Sequence, residues 1–154
     1  MPRDQLRLIF EDHMEQLKGL MRVPKSDPIY VAIVDDNERA VIGLRTVLGN
    51  WNNLGATTVI QAGGKMPKID LRNDIVLLDE DMAGISGNQV AKWMIDHGFT
   101  GLIASIAFCD AESMPAYKRH FNDKVGVGTS VDATVKFIKF MNMLIDKIEY
   151  DRGE

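Results

Sequence analysis

Ile29 to Val34 is a short, β-branched apolar run with no polar alternation, the pattern of a parallel strand covered on both faces. Four further strand-like runs follow, at Thr57–Gln61, Asp74–Leu78, Gly101–Phe108 and Val125–Gly128. Between them lie stretches whose apolar residues recur every three or four positions. Val41, Leu44 and Leu48 share a helical face over Glu38–Leu48, and Val90, Trp93 and Met94 do so over Asn88–Asp96. A short helix is expected over Ser113–His120, and a long one over Ala133–Tyr150 with Val135, Ile138 and Ile145 in its stripe. Gly63 to Asn73 holds Pro67 and few periodic apolar residues, so at most a stunted helix fits there. Five strands alternating with helices specify an α/β fold, a doubly wound five-stranded parallel sheet with helices on both faces.

Upstream of the first strand, Leu6, Phe10, His13, Leu17 and Leu20 follow the 4-3-4-3 rhythm of an amphipathic helix over Leu6–Met21. Pairing with the same helix of a second copy and packing back onto its own chain both satisfy that stripe. Pro24 and Pro28 then mark a linker. The expected division is residues 1–28 as helix and linker, 29–150 as one compact domain, and 151–154 as a tail. A chain of 154 residues has room for one such domain with a short appendage. A formal charge of −4 argues against a phosphate backbone as main partner, and no apolar stretch is long enough to span a bilayer. Cys109 is the only cysteine, which precludes an internal disulfide and suits the reducing cytoplasm.

The acidic residues carry the chemistry. Asp35 and Asp36 follow the first strand, and Asp79 and Asp81 follow the third. In the common strand order 2-1-3-4-5 the first and third strands are neighbours, and ligands of such sheets collect at the strands' carboxyl ends. Any one of these aspartates could simply cap the following helix. Asp35, Asp36 and Asp79 together would repel one another unless a cation neutralised them, and hard carboxylate oxygens suit Mg²⁺.

Ile75-Val76-Leu77-Leu78-Asp79-Glu80-Asp81-Met82-Ala83-Gly84-Ile85-Ser86-Gly87 resembles the signature of the response-regulator receiver domains: an apolar strand, Asp, two variable residues, Met or Leu, then spaced glycines. Val31 to Asn37 resembles that family's acidic pair, and the likeness covers about Ile29 to Tyr150. It implies a flavodoxin-like fold, with Asp79 accepting phosphate from a histidine kinase or phosphotransfer protein. It also implies a Mg²⁺ site of Asp35, Asp36, Asp79 and the Asp81 backbone carbonyl. Two departures stand out. The family's Thr or Ser after the fourth strand falls on Ile106, with Ser105 one residue early. Its Lys after the fifth strand falls on Gly128-Thr129, and Lys124 comes four residues too soon. Thr129 or Ser130 is a candidate substitute hydroxyl.

Three functions follow as expectations. The first is a stand-alone phosphoacceptor receiver signalling through a protein partner, with a homodimer formed through the N-terminal helix or through the face of the last two helices and fifth strand. The second is an interaction module of the same fold that no longer uses phosphate. The third is a phosphohydrolase resembling the haloacid dehalogenases, because Asp79-Glu80-Asp81 matches their Asp-x-Asp, although Ala83 stands where that family has Thr or Val. His13 reads as a helical surface residue, Cys109 as a small buried filler, and Trp51 and Trp93 as core or partial cover.

Overall fold

The computed structural model describes residues 8, 10–107, 120–127 and 130–154. The elements in chain order are α1 (Met14–Lys18), β1 (Ile29–Asp35), α2 (Glu38–Gly49), β2 (Leu54–Ile60), β3 (Ile75–Asp79), β4 (Asp81–Met82), β5 (Ile85–Ser86), α3 (Gly87–Asp96), β6 (Leu102–Ala107), β7 (Asp123–Gly126) and α4 (Val131–Asp151). The five-stranded sheet is parallel throughout, in the order β2-β1-β3-β6-β7, while β4 and β5 form a separate antiparallel hairpin. This is the expected 2-1-3-4-5 winding.

Strand residues alternate between two apolar layers because successive side chains of a pleated strand point to opposite faces. Ile29, Val31, Ile33, Ile75, Leu77, Ala104 and Ile106 meet α2 and α4 on one side. Ala32, Val34, Val76, Leu78 and Ile103 meet α3 on the other. Burial on both faces explains the unbroken apolar runs of β1 and β3.

Element ends differ modestly from expectation. β2 starts at Leu54, three residues early, because Gly55 and Ala56 continue the ladder opposite Tyr30 and Val31. The Tyr30 ring covers Gly55, where an added Cβ would sit 2.8 Å from Tyr30 Cδ1. No helix forms between Gly63 and Asn73. Pro67 and Ile69 are buried there, and the segment runs as an irregular strap packed on the layer of α3. The expected helix at 113–120, Cys109, and the Gly128-Thr129 pair lie outside the described residues, apart from His120.

Among the described residues the N-terminal helix stops before the Met21 expected of its stripe. It turns at His13 and ends at Lys18. Phe10 and Leu17 are fully buried in the same layer as Phe137, Met141 and Ile145, so these two residues pack on their own chain. The linker is then tied down by polar contacts. Arg22 pairs with Asp146 (Nε–Oδ1 2.8 Å) and with the buried Glu149. Lys25 N–H donates to Glu149 Oε2 at 2.7 Å, and Asn142 Nδ2 donates to the Leu20 carbonyl at 2.9 Å. Trp51, 2% exposed, donates its indole N–H to the Arg22 carbonyl at 2.9 Å. The Lys25 amide, and next the Arg22 guanidinium, hold the Glu149 carboxyl below its ordinary value.

Candidate functional site

β1 and β3 are adjacent and in register through Val34 and Leu78, so their last residues, Asp35 and Asp79, emerge side by side at the carboxyl edge of the sheet. Asp36 follows in the loop. One carboxylate oxygen from each of Asp35, Asp36 and Asp79 lies within 4.8 Å of the others. A backbone amide holds one oxygen of each. Asp79 Oδ1 accepts from Asp81 N–H at 3.2 Å, and Asp36 Oδ2 accepts from Ala83 N–H at 2.8 Å. Asp35 Oδ1 accepts from Asn37 N–H at 3.1 Å, while its Oδ2 is buried without a hydrogen-bond partner.

Burial, and next the charge of Asp79, push the Asp35 carboxyl up to about 8. A fully buried acid with an orphaned oxygen, facing two further carboxylates, is a donor set that a hard divalent cation would complete. Mg²⁺ is ordinarily held by one or two carboxylates and several waters. Asp81 adjoins the trio with its side chain exposed, and its amide donates to Asp79.

The β4–β5 hairpin, which sequence reasoning missed, positions the amide serving Asp36. Met82 pairs with Ile85 across a two-residue turn, Ala83-Gly84, with Gly84 at φ +80°. The sign was present as a Gly between two apolar residues, but two-residue strands are too short to show a period. Gly87 lets α3 start against the site, since an added Cβ would lie 2.6 Å from the Asp79 carbonyl oxygen. Glu80, whose role sequence reasoning also left blank, has its Oε2 buried without a partner, and burial raises its carboxyl.

Beside the trio, Ile106 is the register partner of Asp79 and fully buried, so the neighbouring position offers no hydroxyl. Ser105 pairs with Leu78 and points to the opposite layer, its Oγ buried without a partner. Lys124 sits opposite Ser105, two residues before the end of β7. The Ser130 hydroxyl oxygen caps α4, accepting from Ala133 N–H at 3.0 Å.

No family model matches the chain. The nitrate/nitrite response regulator protein NarP of Escherichia coli is 34% identical over 95 residues, 59% of this chain and 43% of that protein, so the chain spans less than half the length of this relative. Among solved structures, the signal receiver domain of an HD domain-containing protein from Pseudomonas fluorescens Pf-5 is similar over 86% of this chain and 98% of its own, with a TM-score of 0.62 at 8% identity. The chain has the receiver-domain fold of response regulators. A further receiver-type neighbour is the response regulator TrrA of Thermotoga maritima in complex with Mg²⁺-BeF (TM-score 0.53, 18% identity, 73% of this chain and 98% of that one). The same regulator is solved in complex with the histidine kinase ThkA (TM-score 0.54, 18% identity, 73% and 97%).

Proposed function

We propose that this chain is a phosphoacceptor receiver of a two-component relay, in which Asp79 takes a phosphoryl group from a histidine kinase or phosphotransfer protein and the chain signals to a protein partner. The observation that carries the reading is the convergence of Asp35, Asp36 and Asp79 within 4.8 Å at the carboxyl ends of neighbouring strands. Asp36, Asp35 and Asp79, with the Asp81 carbonyl, would hold Mg²⁺, which when bound supplies positive charge against the oxygens of an incoming phosphoryl group. The chain's own residues do the remainder. The Asp81 amide orients Asp79 for in-line attack, the Ala83 amide fixes Asp36, and the buried strand ends keep the carboxylates from swinging into solvent.

On this reading residues 29–150 form the receiver and 1–28 the N-terminal helix and linker. The setting is cytoplasmic; among the described residues no helix is long and apolar enough to cross a membrane. Incubation with Mg²⁺ and acetyl phosphate should add one phosphoryl mass, and Asp79→Asn should abolish it. No adduct at millimolar reagent, with the protein folded, rejects the reading.

One observation favours the second reading, an interaction module that does not use phosphate. Ile106 fills the position next to Asp79, leaving no hydroxyl there to draw a loop toward a phosphorylated aspartate. Partner binding and signalling that are unchanged in Asp79→Asn cells would select it.

A further inference from the structure

Gln61, the residue directly after β2, is polar yet only 2% exposed. Burying a side-chain amide is costly unless its groups are bonded. Its Nε2 donates to the Lys65 carbonyl at 3.2 Å, while its Oε1 is buried without a partner. An apolar side chain of similar length would fill the same space without stranding an acceptor. The bond to Lys65 is therefore what a glutamine offers at this position.

That bond latches a turn. Lys65 N–H donates to the Ala62 carbonyl at 3.2 Å, and the two central residues, Gly63 and Gly64, have φ of +63° and +68°. Glycine suits positive φ at both centres, and it is also the residue with the most backbone freedom to lose. Gln61 holds this turn from both sides. Its backbone N–H donates to the Asp35 carbonyl at 2.9 Å, and its side chain closes on Lys65. Gly64 lies against the β4–β5 hairpin, where a Cβ added to it would sit 3.3 Å from Gly84 Cα and 3.4 Å from the Gly84 carbonyl oxygen. The residue before Gly84 is Ala83, whose N–H donates to Asp36 Oδ2 at 2.8 Å. That last bond is exposed, and water competes for both of its partners, so it orients Asp36 only while the hairpin is held in place.

We infer that Gln61 is a positioning residue of the acidic site: by latching the Ala62–Lys65 turn against Gly84, it keeps the Ala83 amide on Asp36 and so sets the affinity for a divalent cation. The inference rests on reading Asp35, Asp36 and Asp79 as a Mg²⁺ site, and it does not need phosphoryl transfer. Groups that orient a metal's ligands without touching the metal change its affinity by roughly ten- to a hundredfold when removed.

Calorimetric titration of the full chain with Mg²⁺ alone tests it, on the wild type and on Gln61→Met. This substitution keeps the length of the side chain and removes both the donor and the stranded acceptor. The expected result is affinity about tenfold weaker, with urea stability equal to or above that of the wild type and with the Ala83 amide exchanging faster in the metal-free protein. A glutamine that served stability alone would give the opposite pairing, stability lost and affinity kept. Gln61→Leu repeats the test with a shorter side chain and the same expected loss of affinity. Gly84→Ala should weaken Mg²⁺ binding through the same contact, so the double variant with Gln61→Met should lose less than the product of the two single losses. Single losses that multiply overturn the inference, because the two residues then act separately. Gln61→Met and Gln61→Leu that bind Mg²⁺ as tightly as the wild type overturn it alone and leave the cation site standing. A wild-type chain that binds no Mg²⁺ overturns both the inference and the reading beneath it.

Discussion

At the scale of single residues, Asp35 has the most physical consequence. Its carboxyl is raised from an ordinary 3.8 to about 8, first by burial and then by the neighbouring Asp79 charge. The folded chain therefore keeps a proton that the unfolded chain has lost over this interval. Stability contributed by Asp35 is fully present below about pH 4 and declines as pH rises toward 8. Urea unfolding in the absence of divalent cations should give a protein less stable at pH 8 than at pH 5 by a few kcal/mol. Asp35→Asn should flatten that dependence, and a slope unchanged in the variant would show that another group causes it. The trio's membership was legible in the sequence because β1 and β3 are short apolar runs ending in aspartate and the winding order makes them neighbours. Asp35's burial was not, since depth at a strand end depends on what covers it.

At the scale of elements, the hairpin and the strap meet through two glycines. Gly84 and Gly64 both have positive φ, and a Cβ on Gly84 would lie 2.8 Å from the Gly64 Cα. Gly84→Ala should cost about 1–2 kcal/mol from its left-handed backbone alone, and more from displacing the strap. Gly63→Ala, at φ +63° with open space around it, should show only the backbone part. Equal losses in a denaturation assay would mean that the strap does not press on the hairpin. The periodic elements were readable from apolar spacing. The strap was partly readable: Pro67 argued against a full helix, but the anchoring of Pro67 and Ile69 in the core is a tertiary outcome with no local period. The start of β2 was misjudged because Gly55 looks like a turn residue. Its lack of a side chain is what admits the Tyr30 ring.

For the whole molecule, the N-terminal arm is part of the fold. Leu17 is fully buried in the core layer, so Leu17→Ala should cost about 2 to 5 kcal/mol despite lying on a five-residue helix. A loss under about 0.5 kcal/mol in denaturant titration would mean that the arm is detached in solution. The amphipathic stripe showed that this segment needed a partner surface and left two candidates; only the packed arrangement tells which one Phe10 and Leu17 meet. The indole of Trp51, closed off from solvent and bonded to the Arg22 carbonyl, makes this attachment optically visible. Its emission should sit at short wavelength while the arm is docked and move to the red when the arm lifts, giving the molecule a native fluorophore for the end of the sheet opposite its acidic cluster.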